Sequence, residues 1–599
     1  MRLVLRHVAL PAAIALTAGM LVGQYFGPQV YSVANSASYA TSGRNGYGIA
    51  QGSLFVIFGQ NLGPAQLQQA QSFPLPTSLA GTSVQITMGG SSWDAIMIYT
   101  YSAQVAAILP SAVPAGVGSL SLTYNGQPSR PIPITVSSSG FGVYSASSNG
   151  LGAGIITRPD YQLTSLANPA RPGDTLIIWG TGLGPVSGDE AGGALPGNRF
   201  PGTEVFVGGQ SANVPYAGRS GCCAGLDQIV FQVPSPASEG CFVPVAVRTG
   251  GVVSNFTTLP IASGGGSCAD PMGIPADLIT KAEAGKAVAV GAVAVGPVPI
   301  LQSAGFSFLG GITEQFSKLV HARVPSTEVK QILEASGPQR LQMVKSAARR
   351  YSHGRKATKS ELRAVVRLAA GLHDAGAAGA FTQLLGLKSL VAQFGSLLPP
   401  AGACTTAKSW SFNPQQWDVS NQPRDAGTQM VLTSPFGTQI LTKVHDGEYQ
   451  VRVGSGFADY RLPSGVYTIS AQGGPDVGAF SNSLASGSLL WTNKDSVTVV
   501  DRSRPLTVTW GANNTSGYVI FGGVSSSDGD GTAFACVEAA QKQTLTVPQF
   551  ILNAMPAAVA DRGLLFLAAH PLQNAFTASG LDAAYFIDLS SDYKRLAYQ

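Results

Sequence analysis

Charge is scarce in this sequence, and the short motifs of common enzyme families are missing. Asp, Glu, Lys and Arg make up only 11% of its 599 residues. The sequence contains no Gly-x-Ser-x-Gly nucleophile elbow, no His-Glu-x-x-His zinc motif and no Walker phosphate loop. The six histidines are scattered, and carboxylates are too sparse to indicate a glycosidase pair. These absences favour a non-catalytic protein without metal or cofactor. The alternative is an extracellular hydrolase whose site is assembled from distant residues.

Cysteines are also few, and their spacing fits no zinc site. The six are Cys222, Cys223, Cys241, Cys268, Cys404 and Cys536. An even number in an exported protein predicts three disulfides. A bridge between the adjacent Cys222 and Cys223 would close a strained ring. We therefore expect these two to pair with Cys241 and Cys268, in either of two connectivities, and Cys404 to pair with Cys536.

The N-terminus has the pattern of a secretory signal peptide, which we place at residues 1–30. Arg2 and Arg6 precede an uncharged, mostly apolar run at residues 8–22, which Pro11 interrupts. This run is short for a membrane span. We expect cleavage, no transmembrane span in the mature protein, and a secreted, periplasmic or outer-surface location.

Glycine is abundant, and one glycine-rich stretch occurs twice. The 73 glycines and 38 prolines are typical of β domains with many turns. Residues 50–64 align without a gap to residues 171–185, so that Phe58 matches Trp179. Gly89-Gly90 and Gln104-Val105 recur later as Gly208-Gly209 and Gln228-Ile229. Such a self-match marks a repeated structural unit, and we expect both aromatic rings in equivalent core positions.

The run Gly180-Thr-Gly-Leu-Gly184 could be mistaken for a phosphate-binding loop. Such a loop needs a helix directly after the glycines, whereas Pro185 and a loop-like composition follow here. The run predicts a strand that ends in a glycine turn.

Several stretches resemble one family. They are Asn35-Ser-Ala-Ser-Tyr39, the paired Gly-Leu-Gly-Pro turns, Arg219-Ser-Gly-Cys-Cys-Ala-Gly-Leu-Asp-Gln-Ile229, Gly240-Cys241 and Val253-Ser-Asn255. They resemble uncharacterised secreted proteins of soil bacteria with tandem immunoglobulin-like domains of the IPT/TIG type. The resemblance covers residues 35–270 and resumes at Phe576-Thr-Ala-Ser-Gly-Leu-Asp582. It implies a fold and a location, and no catalytic residues.

A basic, helix-like segment interrupts the β pattern. Residues 313–398 have helical composition and periodicity, and Thr358-Lys-Ser-Glu361 is a capping box. Between residues 318 and 367, twelve Lys or Arg stand against three Glu, a net charge of 12 − 3 = +9. The densest part contains Arg349, Arg350, Arg355 and Lys356. It predicts contact with an anionic cell-surface or extracellular polysaccharide, and export makes nucleic acid a poor candidate. A solvated helix face is the alternative.

The chain is therefore predicted to be mainly β, with tandem immunoglobulin-like sandwiches, a helical insertion and a C-terminal β-sandwich. The expected boundaries after the signal are 31–140 and 141–263 for the two repeats, 264–312 for a linker and β segment, 313–400 for the insertion and 401–599 for the last domain.

Residues 287–313 carry no charge, but their first part alternates with period two, which favours a strand over a membrane span. Residues 527–531, Ser-Asp-Gly-Asp-Gly, predict a hairpin turn rather than a calcium loop. The expected function is a secreted binding or structural protein.

Overall fold

A computed structural model shows a mainly β protein built of several sandwich-like sheets, as predicted. It describes residues 27–40, 46–270, 274–297, 374–385, 399–408, 420–455, 462–486, 489–511, 517–527, 530–570 and 574–599. The predicted signal peptide lies outside these residues, except for its last four positions.

The first repeat is a sandwich of two sheets. Its strands are β1 (Gln29–Asn35), β2 (Ile49–Ala50), β3 (Leu54–Gln60), β4 (Gln68–Gln69), β5 (Ser78–Leu79), β6 (Thr82–Met88), β7 (Ser91–Asp94), β8 (Ile96–Tyr101), β9 (Gln104–Ile108), β10 (Gly116–Tyr124), β11 (Gln127–Pro128) and β12 (Ile132–Ser137). One sheet has the order β1-β3-β9-β8-β4, and the other has β2-β12-β10-β6-β5 with β7 and β11 paired at its side. Alternate residues of both sheets, such as Phe55, Ile57, Ile86 and Leu120, fill the space between them.

The second repeat has the same design. Its strands are β13 (Gly142–Val143), β14 (Ile156–Thr157), β15 (Thr175–Thr181), β16 (Glu204–Val207), β17 (Gln210–Arg219), β18 (Asp227–Gln232), β19 (Gly240–Thr249), β20 (Val252–Val253) and β21 (Thr257–Ile261). The long strand β17 pairs first with β16 and, after a register shift, with β18. It passes from one layer to the other at the place where β7 and β8 do so in the first repeat.

The repeat predicted from the sequence is confirmed strand by strand. Strand β3 coincides with β15 at the 121-residue offset. Phe58 lies opposite Gln104, and Trp179 lies opposite Gln228. The glycine pairs that join β6 to β7 and β16 to β17 have nearly the same backbone angles, with φ of 56° and 88° against 57° and 85°.

A buried serine supplies a further equivalence that the alignment did not list. In the first repeat the Leu122 backbone N donates to Ser129 Oγ at 2.9 Å. In the second, the Val247 N donates to Ser254 Oγ at 2.9 Å. Each serine closes the hairpin of the strand that precedes it, because its own N donates back to Leu122 or Val247.

The expectation that Phe58 and Trp179 lie in the two cores is wrong. Phe55 and Ile57 point into the first core, so Phe58 points out of it, and the same parity turns Trp179 away from Leu176 and Ile178. Both rings are half-buried on an outer sheet face. The four-residue apolar run Leu-Ile-Ile-Trp hid this alternation in the sequence.

The C-terminal region begins with a short helix and contains two further β units. Its elements are α1 (Ala276–Glu283), β22 (Val288–Pro297), β23 (Asp374–Leu385), β24 (Cys404–Lys408), β25 (Ser420–Pro423), β26 (Gln429–Ser434), β27 (Gly437–His445), β28 (Glu448–Ser455), β29 (Gly465–Ala471), β30 (Phe480–Ser486), β31 (Leu490–Trp491), β32 (Leu506–Gly511), β33 (Tyr518–Ser527), β34 (Asp530–Ala539), β35 (Thr544–Val547), α2 (Gln549–Asn553), β36 (Gly563–Ala569), β37 (Ala575–Phe576), β38 (Ala583–Asp588) and β39 (Ser591–Arg595). Single 3₁₀ turns lie at Lys494–Ser496, Ala540–Lys542 and Ala560–Arg562.

The first C-terminal unit is a ten-stranded curled sheet with the order β30-β29-β26-β27-β28-β23-β22-β38-β37, in which β25 pairs with β23. Its two ends approach each other, since Phe480 of β30 lies 4.9 Å from Phe576 of β37, measured between ring centroids. Ser486 Oγ also donates to the buried carboxylate of Asp588 on β38. The curled sheet encloses one core that includes Met430, Tyr467 and Phe586.

Two strands of the curled sheet come from outside the predicted C-terminal domain. The strand at Val288–Pro297 confirms that strand pairing, and not a membrane span, explains the start of the uncharged run. The prediction of helix up to residue 398 is wrong for Asp374–Leu385, which pairs along its length with Val288–Pro297. Small Ala and Gly residues predominate in this strand, and its neighbours on both sides determine its conformation more than its propensity does. The rest of the predicted insertion lies outside the described residues, apart from residues 399 and 400.

The second C-terminal unit packs the sheet β24-β34-β33-β36-β39 against the smaller sheet β31-β32-β35. Trp491, Trp510 and Phe521 form the centre of its core. The predicted hairpin at residues 527–531 is confirmed, because Ser527 and Asp530 face each other at the end of β33 and β34.

The disulfides differ from the prediction in one place. Cys404 and Cys536 are paired as expected, directly across β24 and β34. However, Cys222 bonds to Cys223, and Cys241 bonds to Cys268. The expected cross-pairing is wrong because Cys222 and Cys223 lie in an exposed turn between β17 and β18, whereas Cys241 and Cys268 are buried beside α1.

Buried polar groups fix the second repeat against the first. Arg219 forms an ion pair with Asp227, and their side chains are only 3% and 0% exposed. The Arg219 guanidinium also donates to the Gly52 carbonyl of the first repeat at 2.6 Å. Gly52 has a φ of 71°, and a Cβ at this position would collide with Arg219, so the close approach requires glycine.

Other bonds complete this repeat junction, which we define by Asn35, Gly52, Thr181, Arg219 and Asp227. Asn35 Nδ2 donates to the carbonyls of Gly140 and Thr181, both at 3.1 Å. Thr181 Oγ1 accepts from the Leu54 N at 2.9 Å. Asn35, Arg219 and Asp227, which stand in motifs that carry the family resemblance, therefore lie at the contact between the two repeats.

We predict three intramolecular bridges in the exported protein: Cys222–Cys223, Cys241–Cys268 and Cys404–Cys536. Non-reducing peptide mapping by mass spectrometry tests this directly. The double variant Cys404→Ala/Cys536→Ala removes the closure of the longest loop, and the chain-entropy model gives a loss of about 4–5 kcal/mol in unfolding free energy. A peptide that joins Cys222 or Cys223 to Cys241 or Cys268 would contradict the pairing.

We also predict that Asp227→Ala lowers the unfolding free energy by about 3–5 kcal/mol, because it leaves the buried Arg219 cation unpaired. Chemical denaturation measures the change. The control is Glu204→Ala, since the Glu204–Arg248 pair is 41% and 32% exposed, and such pairs contribute about 0–1 kcal/mol. Equal effects of the two substitutions would show that the junction pair has no special role.

Candidate functional site

The outer face of the second repeat carries an exposed aromatic pair. Tyr161 is 69% exposed and Leu163 beside it is 51% exposed. The Tyr161 ring lies 6.1 Å from the half-buried Trp179 ring, with 32° between the ring planes. We name Tyr161, Leu163 and Trp179 the second aromatic face.

A tight turn presents Tyr161. The Tyr161 N donates to the Arg158 carbonyl at 2.9 Å, and the Arg158 N donates to the Gln162 carbonyl at 2.9 Å. The Arg158 side chain anchors this turn, because it donates to Asp174 Oδ2 and to the Pro169 carbonyl, each at 2.8 Å. The turn is therefore held to the body of the repeat at its base, while its tip displays the ring.

The backbone of Tyr161 is in the left-handed region, with φ of 67°. A bulky residue seldom adopts this conformation, which costs about 1–2 kcal/mol. Glycine or asparagine would serve the turn better, yet a large aromatic side chain stands here and remains mostly in water. A local cost that yields an exposed aromatic ring indicates a role in binding.

The first repeat has the same arrangement. Tyr39 has a φ of 51°, and its ring lies 6.1 Å from Phe58 with 38° between the planes. Tyr39 precedes Phe58 by nineteen residues, and Tyr161 precedes Trp179 by eighteen. Ile98 and Tyr99 pack against the same small cluster. We name Tyr39, Phe58, Ile98 and Tyr99 the first aromatic face.

The two tyrosines of the first aromatic face are uncharged at ordinary pH. Burial, together with the neighbouring Tyr39 and Tyr101, raises the pKa of Tyr99 to about 12. Burial also raises the pKa of Tyr39. At the second face Arg158 and Asp174 form an ion pair, and the Asp160 carboxylate next to Tyr161 adds a negative charge. Such a surface suits an uncharged ligand better than a polyanion.

Tyr144 joins the two faces across the repeat junction. Its backbone N donates to the Trp179 carbonyl at 3.0 Å. Its hydroxyl lies 2.7 Å from Ser36 Oγ in the first repeat. The strand that carries Trp179 is thus tied to the segment that carries Tyr39, and the repeat junction fixes the two faces relative to each other.

The indole N–H of Trp179 is not available to a ligand. The indole Nε1 donates to the buried Thr157 Oγ1 at 2.9 Å. With this donor satisfied, the ring offers its π surface and edge to a ligand. Trp179 therefore acts through stacking and dispersion more than through hydrogen bonds.

The site residues named from the sequence have different outcomes. Arg349, Arg350, Arg355 and Lys356 lie outside the described residues, so their contact with an anionic polymer stays a prediction. The six cysteines are all paired in disulfides. Among the described residues, no group of three or more His, Cys, Asp and Glu could hold a metal ion, and no described helix is long and apolar enough to cross a membrane.

Sequence reasoning missed both tyrosines. The repeat alignment contained the signal, since Tyr39 and Tyr161 are 122 residues apart, one more than the offset of the aligned strands. The single-residue difference kept them out of the gapless match.

We predict that Tyr161→Gly is more stable than Tyr161→Ala by about 1 kcal/mol. Both substitutions remove the ring, but only glycine adopts a positive φ without strain. The order is opposite to the usual one, in which glycine is the more costly residue. Urea denaturation of both variants gives the difference, and an alanine variant as stable as the glycine variant would contradict the strained backbone.

Comparisons with known proteins give no family. No protein-family model and no curated protein matches the chain. Among solved structures, the chain is similar to the Bacteroides ovatus mixed-linkage glucan utilization locus SGBP-B in complex with a mixed-linkage heptasaccharide. The identity is 13% and the TM-score is 0.18, and the match covers 36% of this chain and 43% of that chain. It is also similar to domains 5–6 of the S-layer protein SbsC, with 10% identity, 39% and 98% covered, and a TM-score of 0.16. The chain thus spans less than half of the first protein. Likeness of this degree defines neither a family nor a shared site, and the resemblance to secreted IPT/TIG-type proteins stays a prediction.

Proposed function

We propose that this is a secreted, non-catalytic protein that binds uncharged extracellular polysaccharide through the two aromatic faces of its repeats. One observation carries the proposal: both repeats place a tyrosine with a left-handed backbone against the aromatic residue at the same strand position. Neither pair belongs to the main core of its repeat, although Tyr39 and Phe58 also cover a small cluster of buried residues that includes Val56.

The chemistry of sugar rings fits these faces. A pyranose ring has an apolar face of C–H groups and a rim of hydroxyls. The C–H groups carry slight positive charge, which the negative face of an aromatic ring attracts. Tyr161 and Trp179 are held in place before binding, so a ligand need not order them.

The setting supports a location outside the cell. Three disulfides and no free cysteine are typical of proteins from oxidising compartments. The N-terminal pattern supports the same location. No arrangement of described residues favours the alternative, an extracellular hydrolase.

We predict that Tyr161→Ala weakens binding to an uncharged polysaccharide by about two- to tenfold, the range expected for loss of one aromatic contact. Tyr161→Ala combined with Tyr39→Ala should weaken it further. Affinity electrophoresis in gels that contain mixed-linkage glucan, xylan or galactomannan gives the comparison, with alginate as the anionic polymer.

The matched control is Tyr31→Ala. Tyr31 is 64% exposed, but its hydroxyl bonds to Gln60 at 3.0 Å and its ring belongs to neither pair. Its loss should leave binding unchanged. If the wild type is retarded by alginate alone, or if Tyr31→Ala weakens binding as much as Tyr161→Ala, the aromatic faces are not the binding surface.

A further inference from the structure

A cavity of about 50 Å³ lies where the two repeats meet the C-terminal region. A buried water needs about 10–15 Å³ by this measure, so the cavity has room for roughly four waters or a similar number of ligand atoms. Ser38 comes from the first repeat, Phe141 and Phe256 from the second, and Thr532 from β34 of the C-terminal region. All three parts of the chain are needed to form it.

We name this space the junction cavity, as distinct from the repeat junction. Its wall combines apolar and hydroxyl groups. Phe141 and Phe256 are only 2% and 4% exposed and supply aromatic surface. Ser38, Thr406 and Thr532 supply hydroxyls. None of the described lining residues is charged. This combination suits an uncharged group with hydroxyls on an apolar frame.

Thr532 gives an independent sign of a ligand. Its side chain is 4% exposed, and its Oγ1 has no hydrogen-bond partner among the described residues. An unpaired buried hydroxyl destabilises the folded state, because it has lost its hydrogen bonds to water without replacement. A valine of the same shape would avoid this cost, and a polar group inside the cavity would remove it.

The cavity wall is fixed before any ligand arrives. Asn255 Oδ1 accepts from the Val143 N at 2.8 Å, and its Nδ2 donates to the carbonyls of Val143 and Gly150 at 2.9 and 2.8 Å. On the opposite side, Asn35 Oδ1 accepts from the Ser38 N at 3.1 Å. Two asparagines from the motifs of the sequence thus hold the loops around the cavity.

We propose that the junction cavity binds one uncharged, polyhydroxylated group, with Thr532 Oγ1 as a hydrogen-bonding partner and Phe141 and Phe256 as apolar contacts. Its size fits a three-carbon polyol or the exposed edge of a terminal sugar residue. This site adjoins the first aromatic face, since Ser38 and Ala40 flank Tyr39 in the chain, but it contains none of the rings of either face and does not depend on their role.

The test uses the full exported chain with glycerol, glucose and a mixed-linkage glucan trisaccharide as probes. Crystals soaked in each probe should show it in the cavity within hydrogen-bond distance of Thr532 Oγ1. Isothermal titration calorimetry should show about three- to tenfold weaker binding to Thr532→Val, the range for one lost hydrogen bond. Glycerol binding without trisaccharide binding identifies a free polyol, and the reverse identifies a glycan end.

Stability distinguishes a binding role from a structural one. Thr532→Val should be at least as stable as the wild type, because it removes an unpaired buried hydroxyl. The control is Thr433→Val, which changes an exposed threonine on β26 and should alter neither binding nor stability. Water alone in the soaked cavity, or equal affinity of Thr532→Val and the wild type, would overturn the proposal.

A second variant fills the cavity with a larger side chain. Ala554 lines the same cavity at the end of α2, and Ala554→Met should fill it and abolish probe binding. Retardation by polysaccharide gels should stay at the wild-type level, since the aromatic faces are untouched. Probe binding that survives in a folded Ala554→Met would place the probe elsewhere and refute the site.

Discussion

The ion pair between Arg219 and Asp227 is the interaction on which the arrangement of the repeats depends. Both side chains are almost fully shielded from solvent, so each charge is stabilised by the other and not by water. Asp227 also accepts from the backbone N of Gly182 and Leu183 at 2.8 and 2.9 Å, which holds the glycine turn after β15. The guanidinium then has its remaining donors free for the Gly52 and Gly184 carbonyls. A buried pair of this kind adds little net stability, but it permits one orientation of its neighbours.

The second repeat is covered on its outer side, and its sequence differs from the first for that reason. In the first repeat Thr87 lies one residue before the last position of β6; the equivalent position in β16 is Phe206, which stacks on Phe550 of α2 at 4.5 Å. Ser121 of β10 similarly corresponds to Ala246 of β19, which is buried against the same unit. On the other side, Cys241 and Cys268 pack against α1 and β22. The two repeats share a core pattern and diverge on the faces that meet different surroundings.

Much of this architecture could be predicted from the sequence, because local patterns encode it. The apolar alternation and glycine pairs of β3, β6, β15 and β16 depend on neighbours within a few residues, and the match at offset 121 follows from them. Cys404 and Cys536 could be paired by elimination.

In contrast, Asp374–Leu385 is rich in Ala and Gly and becomes a strand only because Val288–Pro297 and Glu448–Ser455 lie on both sides of it. The aromatic faces escaped prediction because Tyr39 and Tyr161 are one residue off the 121-residue offset, and because no residue pattern announces the left-handed backbone that both adopt. The junction cavity combines residues more than 490 positions apart in the sequence, Ser38 and Thr532.

The aromatic pairs of the two repeats differ in residue type but share their geometry. Their sequences around the pairs differ: the first pair is Tyr39 with Phe58, and the second is Tyr161 with Trp179. What both keep is the 6.1 Å separation of the ring centroids and the positive φ of the tyrosine. Neither phenylalanine nor an indole whose N–H is already bonded to Thr157 can select a ligand by hydrogen bonds from the ring. Stacking discriminates by the shape and charge of a ring more than by the position of its hydroxyls. In the proposed function, two such faces, fixed relative to each other by the repeat junction, favour a class of uncharged sugar polymers over any single sugar.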